Sequence, residues 1–416
     1  MKPSLLLLRT FLLLAFCYSV TLQGEEEEKK TICVNMIVKN ESQVITRCLG
    51  SIKSLIDSWV IVDTGSTDGT QDIIKEFMKD IPGELQERPW VNFGHNRNEA
   101  LQLAKGKADY ILFIDADEVV EFSSTFVMPP LNKDSYFLLT KFGGTNYYRL
   151  QLIKDGLGWK WEGVLHETVG SPWAKTNGII AGLVNVPRTD GARSQDPKKF
   201  LKDAAVLEKA LVDDPTNTRY TFYLGQSYRD AEEYEKSIES YKKRIALGGW
   251  DQEIFWSMLQ IAHAQKILDL DEKIFLRSYD DAYHYRPTRV EPLYYLSNYY
   301  RTMGNYAAGY LIAQIGLKLP VSSDILFLER YITDWALPLE YTICAYWCGD
   351  YAECIKSSKE ILAKPDLSES VRQCAERNMA QAIIKLATIE NARSATIQKS
   401  ELLEEPAANT PEESPS

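Results

Sequence analysis

Three apolar runs, each ending in polar residues and separated from one another by stretches with helical spacing, constrain this chain more than any other feature. They are TICVNMIVKNE (31–41), SWVIVDTGSTD (58–68) and YILFIDADE (110–118). Runs of this length suit strands buried on both faces, and the segments between the runs, such as ESQVITRCLGSIKSL and TDGTQDIIKEFMKD, read as helices. That alternation predicts an α/β unit built on a largely parallel sheet covered by helices. Ligands of such sheets gather at the carboxyl ends of the strands, which is where the polar residues fall. Asp115 and Asp117 therefore stand at a candidate site edge.

Beyond residue 135 the pattern changes. Short apolar runs, aromatics and glycines from 135 to 190 predict strands and loops, and after GARSQDPKKF the chain reads as helix from 198 to 398. Two stretches there align: YTFYLGQSYRDAEEYEKSIESY from Tyr220 and PLYYLSNYYRTMGNYAAGYLIA from Pro292. Tyr228 pairs with Tyr300 and Tyr234 with Tyr306 at an offset of 72, close to two units of a helix-pair repeat, and CAYWCGDYAECIKSSKEIL gives a degenerate copy with Tyr351 after its turn. The 416 residues are thus expected to form an α/β domain over 30–195 and an all-α domain over 198–398. Residues 399–416 are rich in Pro, Glu and Ser and are expected to be disordered.

The N-terminal segment 1–24 carries Lys2 and Arg9 ahead of an apolar run from Phe11 to Val20. It reads as a secretory signal peptide or a signal anchor, with membrane association through residues 4–20 open in the second case. Either reading places the protein in a secretory lumen or outside the cytoplasm, secreted or anchored. The seven cysteines show no paired CxxC spacing, which argues against zinc knuckles and leaves core thiols or a disulfide. A formal charge of -11 argues against nonspecific nucleic-acid binding.

Two carboxylates two residues apart are hard oxygen donors suited to Mg2+ or Mn2+ beside a diphosphate. A solvated strand end explains the same pair. An EF-hand is excluded because glycine does not stand at the sixth loop position.

The motifs NMIVKNESQVITRCLGSI, VIVDTGSTDGTQDI, NFGHNRNEALQLAKGKADYILFIDADE and WEGVLHE follow one another in an order that resembles family 2-like glycosyltransferases. The resemblance is closest to the branch in which a GT-A domain is followed by tetratricopeptide-like helices. It implies a nucleotide-diphospho-sugar transferase fold and transfer of a sugar from a nucleoside diphosphate sugar to a protein, peptide or glycan acceptor, with inversion and a Mn2+ or Mg2+ ion. On that resemblance Asp63 meets the nucleobase, with Asn40 and Glu41 around the same pocket. Arg97 and Asn98 approach the nucleotide or order the acidic loop, Asp115 lies near ribose or metal, and Asp117 is the more direct metal ligand.

The resemblance also places His166 at the metal or diphosphate and makes Glu167 or Glu162 the base that deprotonates the acceptor. Asp117 joins them as a catalytic candidate. Glu118, Arg149, Trp159 and Trp161 have site roles and packing roles equally open. Two other classes compete: an adaptor that binds without turnover, and haloacid-dehalogenase-like phosphatase chemistry with Asp115 as nucleophile.

Overall fold

The structure, a computed structural model, describes residues 29–143, 145–365 and 367–403, with side chains as far as residue 396. The leader-like residues 1–24 lie outside the described residues. The chain divides into two units, one of residues up to Thr140 together with Tyr148–Asp196, the other of Lys141–Tyr147 together with residues from Pro197 onward.

The first unit is built on strands β1 (Ile32–Val38), β2 (Ser58–Asp63), β3 (Gly83–Glu87), β4 (Tyr110–Phe113), β5 (Glu118–Phe122), β6 (Ser135–Phe142), β7 (Thr145–Lys154) and β10 (Asn177–Pro187). Their order in one sheet is β3-β2-β1-β4-β7-β6-β10-β5. The short strands β8 (Lys160–Glu162) and β9 (Thr168–Gly170) pair separately. β1 pairs parallel with β2 and β4, and β2 with β3. β7 joins β4 antiparallel and β5 joins β10 antiparallel, so the sheet is mixed.

The three apolar runs form β1, β2 and β4, the buried centre of the parallel part. Helices α1 (Ile45–Ile52) and α2 (Thr70–Phe77) follow β1 and β2. Ile45, Leu49, Ile52 and Ile74 share one core with Val34, Met36, Ile61 and Leu112. A second cluster sets Leu101 and Ala104 of α3 (Phe93–Ala104) against Val60, Ile111 and Phe113. This division places helices on both faces, so the carboxyl ends of β1, β2 and β4 open side by side at the point where the strand order reverses.

At the start of α3, Gly94 makes a contact that no other residue permits. A Cβ there would stand 2.3 Å from the carbonyl oxygen of Gly163. Gly94→Ala is therefore expected to push the segment after β8 away from α3 and cost about 2 kcal/mol, read by urea denaturation. An unchanged midpoint would mean that the approach is slack.

The second unit is a run of antiparallel helices: α4 (Lys199–Asp213), α5 (Thr218–Asp230), α6 (Tyr234–Ala246), α7 (Asp251–Ile267), α8 (Glu272–Tyr285), α9 (Glu291–Thr302), α10 (Tyr306–Gly316), α11 (Leu337–Trp347), α12 (Tyr351–Leu362) and α13 (Glu369–Leu403). Tyr234, Tyr306 and Tyr351 each open the second helix of a pair, and the α7–α8 pair fills the interval of the 72-residue offset. The small residues also correspond. The Ser237 hydroxyl donates to the Gly225 carbonyl at 2.9 Å, and 72 residues on the Ser297 hydroxyl donates to the Gly309 carbonyl at 2.9 Å. Serine and glycine exchange places while the hydrogen bond across the pair stays. Repetition at this level is that of tetratricopeptide-like stacking. α13 runs to Leu403, into the segment expected to be disordered, and residues 404–416 lie outside the described residues.

Candidate active site

Asp63 ends β2 fully buried. One oxygen, Oδ1, accepts from the amides of Gly65 and Ser66 at 2.9 and 2.8 Å and from the Gln71 side chain at 3.0 Å. The other, Oδ2, is buried and has no hydrogen-bond partner. A buried carboxylate oxygen left unmatched costs stability unless a ligand completes it. The turn that Asp63 organises is tied to the loop after β1: Asn40 accepts from the Thr67 amide at 2.8 Å, and its own amide donates to the Ser66 hydroxyl at 2.8 Å. Asn40, expected at the nucleotide, therefore fixes the shape of the pocket wall, with its backbone in the left-handed region at φ 57°.

Asp115 and Asp117 lie in a tight turn between β4 and β5, since the Glu118 amide returns to the Asp115 carbonyl at 3.0 Å. Asp115 is clamped by two arginines. Arg97 Nη2 reaches Oδ1 at 2.5 Å and Arg149 Nη2 reaches Oδ2 at 3.3 Å. Burial by itself raises a carboxyl pKa, yet here the two guanidinium charges prevail and hold Asp115 below its usual range. A carboxylate so neutralised is a poor nucleophile, which weighs against the phosphatase reading.

The clamp extends on both sides. Arg97 Nε also pairs with Glu167, and its guanidinium lies over Trp161, 5.1 Å from the ring centroid. Arg149 grips buried Glu118 at 2.6 and 3.1 Å, and Asn185 donates to the same carboxylate at 3.0 Å. Removing Arg149 would strand Glu118, so Arg149→Met is expected to cost about 3 kcal/mol. Chemical denaturation checks this, and a loss below about 1 kcal/mol would show that the remaining donors suffice.

Several expected site residues make defined contacts within the protein. Asn98 exchanges two hydrogen bonds with the Trp161 backbone, both 2.8 Å, so it fastens β8 to α3. Trp161 is 9% exposed, packed edge-on against Phe113 at 4.8 Å, and Trp159 donates to the Lys154 carbonyl at 2.8 Å. Packing is what they do in this structure. Glu167 is committed to Arg97, whereas Glu162 is exposed on β8 beside Lys160 at 3.9 Å. His166 is exposed on the turn between β8 and β9 with φ 52°.

The residues that sequence reading missed come from the segment after β10. The Arg188 amide donates to the Asp117 carbonyl at 2.9 Å, Asp190 forms a two-pronged pair with Arg47 at 2.6 and 2.7 Å, and the Ala192 amide reaches Glu41 at 3.2 Å. A Cβ on Gly191 would stand 2.8 Å from the Asp117 carboxylate, so this glycine makes room for it. The glycine in RTDGARS was the one available signal.

A divalent cation fits this site in part. Asp115, Asp117 and His166 do not form a three-ligand centre, and no group of three or more His, Cys, Asp or Glu side chains able to hold a metal occurs among the described residues. Asp115 is instead paired with Arg97 and Arg149. Yet the field is acidic: burial, then Asp117, Asp68 and Asp115, push Glu41 up to about 7 against the Ala192 hydrogen bond. Such a site suits a cation whose remaining ligands are phosphate oxygens.

The sign for stability follows from Glu41. Its carboxyl titrates higher in the folded chain than in the unfolded one, so stability falls as pH rises from about 4.3 towards 7. Glu41→Gln is expected to stabilise the protein at pH 8 by no more than about 2 kcal/mol, screening included, and to have no such effect at pH 4. Thermal melts at the two pH values check this.

Residues 33–125 match the family model Glycosyl transferase family 2. The match runs from β1 through β5 and holds Asn40, Glu41, Asp63, Arg97, Asn98, Asp115 and Asp117, but ends before Arg149, Glu162, His166 and Glu167. The chain is similar to the SPbeta prophage-derived glycosyltransferase SunS of Bacillus subtilis, 38% identical over 237 residues that cover 53% of this chain and 54% of SunS. It is also similar to a TPR repeat-containing protein of Synechococcus elongatus, 39% identical over 84 residues, 20% of this chain and 19% of that one. The chain spans about half the length of SunS. Among solved structures, TarS 1-349 of S. aureus aligns over 57% of this chain and 87% of its own at 14% identity and a TM-score of 0.32. The expected α/β domain holds, its mixed sheet consistent with the GT-A type, and the helical region that follows resembles tetratricopeptide proteins.

Proposed function

We propose that this protein is a glycosyltransferase that moves a sugar from a nucleoside diphosphate sugar to a protein, peptide or glycan acceptor. The single observation that carries the reading is Asp63 Oδ2: a buried, unpartnered acceptor at the carboxyl end of β2, inside the segment that matches family 2. A nucleobase N–H is the donor this oxygen lacks. Asp117, with phosphate oxygens completing the shell, would hold Mn2+ or Mg2+, which when bound supplies charge stabilisation for the departing diphosphate.

The chain's own residues do the positioning. Arg97 and Arg149 hold Asp115 as a fixed anion, and that keeps the turn carrying Asp117 in one shape. Glu41 and Gly191 border the same carboxylate. Of the candidate bases, exposed Glu162 can take up an acceptor proton, whereas Glu167 orients Arg97. Direct displacement would invert the anomeric carbon. As part of the same proposal, residues 1–24 send the enzyme to a lumen or the cell exterior.

The test is donor hydrolysis by the full chain over a panel of nucleoside diphosphate sugars with Mn2+ or Mg2+. At least one donor should be hydrolysed, and the rate should fall in Asp117→Asn. Nucleotide binding without turnover for every donor and acceptor tried would favour an adaptor.

A further inference from the structure

The helical unit contains a cavity of about 660 Å³, within the size range of small-ligand sites. Arg229 of α5, Trp256 and His263 of α7, Tyr279 of α8, Tyr295 of α9 and Glu329 from the segment before α11 line it. Its aromatic side is firmly built. Tyr279 and Tyr295 stack with centroids 5.6 Å apart, and His263 meets both rings edge-on at 5.4 and 4.4 Å. Burial, then Arg229 and Lys266, push His263 down to about 3, so the imidazole is neutral. Its Nδ1 lies 2.7 Å from the Tyr279 hydroxyl. With that hydroxyl donating, the ring proton sits on Nε2.

Two lining side chains carry polar atoms with no hydrogen-bond partner. Trp256, 8% exposed, has an unmatched Nε1–H, and Glu329 has an unmatched Oε2. The other Glu329 oxygen accepts from the Tyr295 and Tyr331 hydroxyls at 2.9 and 3.4 Å. One cavity therefore combines an unmatched donor, an unmatched carboxyl oxygen and flat aromatic faces beside the Arg229 guanidinium, and burial pushes the Glu329 carboxyl up to about 7.

This combination selects among ligand classes. An ammonium group would meet Arg229 and, at the rim, Lys266. A carboxylate would meet Glu329, and a purely apolar ligand would leave the polar atoms unmatched. A hydroxyl group both donates and accepts, and the C–H face of a sugar ring packs on aromatic faces. We propose that this cavity binds a neutral carbohydrate, a mono- or disaccharide unit of a glycan. The site lies wholly in the helical unit and stands independently of the transferase reading.

Saturation-transfer NMR on the full chain without nucleotide tests it, with methyl glycosides and disaccharides of glucose, galactose and N-acetylglucosamine as probes. At least one probe should bind with a Kd near about 1 mM. Glu329→Gln and the exposed-rim variant Lys266→Ala should each weaken it about tenfold while Asp117→Asn leaves it unchanged. Circular dichroism confirms that each variant is folded. Failure of every probe to bind at about 10 mM would overturn the proposal. So would binding lost in Asp117→Asn and kept in the other two variants, because the sugar would then lie in the α/β unit. If wild type bound a probe yet hydrolysed no donor, the transferase reading would fall and the pocket would stand.

Discussion

Asp117→Asn is expected to lower donor hydrolysis and transfer by about 10³-fold, while the unfolding free energy stays within about 1 kcal/mol of wild type. The contrast with Asp115 is the reason. Asp115 is held by Arg97 and Arg149 and contributes to the frame, so its loss would disturb the turn itself. Asp117 stands where Gly191 has left space, in an acidic field that adds to burial in raising its neighbour Glu41. Amide replacement keeps its volume and removes the charge that a cation and diphosphate need. Steady-state hydrolysis, with nucleotide affinity measured in parallel by calorimetry, separates the two effects. Retention of more than about a tenth of the wild-type rate would remove Asp117 from the mechanism.

Asp63→Asn should act on a different step. The side-chain amide can keep its oxygen towards Gly65 and Ser66, so the turn survives, but an N–H then replaces the unmatched Oδ2. Donor would face donor at the base. Nucleotide affinity is expected to fall about 100-fold, as when a buried polar contact is left unpaired. The fall should show in KM and in calorimetric Kd, with kcat reduced less. Equal affinity in the variant and wild type would mean that Oδ2 faces no ligand.

The frame of the site was legible because its strands are long and apolar. TICVNMIV, SWVIVD and YILF could be placed without tertiary information, and with them the side-by-side ends that carry Asn40, Asp63 and Asp115. β3 was not legible: GELQE is a polar edge strand with no apolar run. The mixed character of the sheet was hidden as well, since β5 begins at Glu118, directly after the acids, and turns a supposed strand end into a turn between two strands.

Site residues were visible as types and not as partners. Arg97, Asn98 and Glu167 have polar side chains that suit ligand binding and structural pairing equally, and their pairing across 63 to 70 residues of chain leaves no mark on the local pattern. The same holds for the 188–192 segment. Its contacts with Asp117 and Glu41 bridge distant parts of the chain, and local pattern holds no record of them. In the helical unit, by contrast, the offset of 72 predicted the pairs, because each repeat packs mainly on its neighbours and local pattern carries most of the information.

The central claim is that a nucleoside diphosphate binds across the ends of β2 and β4, with its base at Asp63 and its diphosphate at Asp117. A crystal structure of the chain with a nucleoside diphosphate and Mn2+ tests it most directly. The account predicts a base N–H within hydrogen-bonding distance of Asp63 Oδ2 and phosphate oxygens sharing a cation with Asp117. A nucleotide bound elsewhere, with Asp63 Oδ2 still unpartnered, would contradict it.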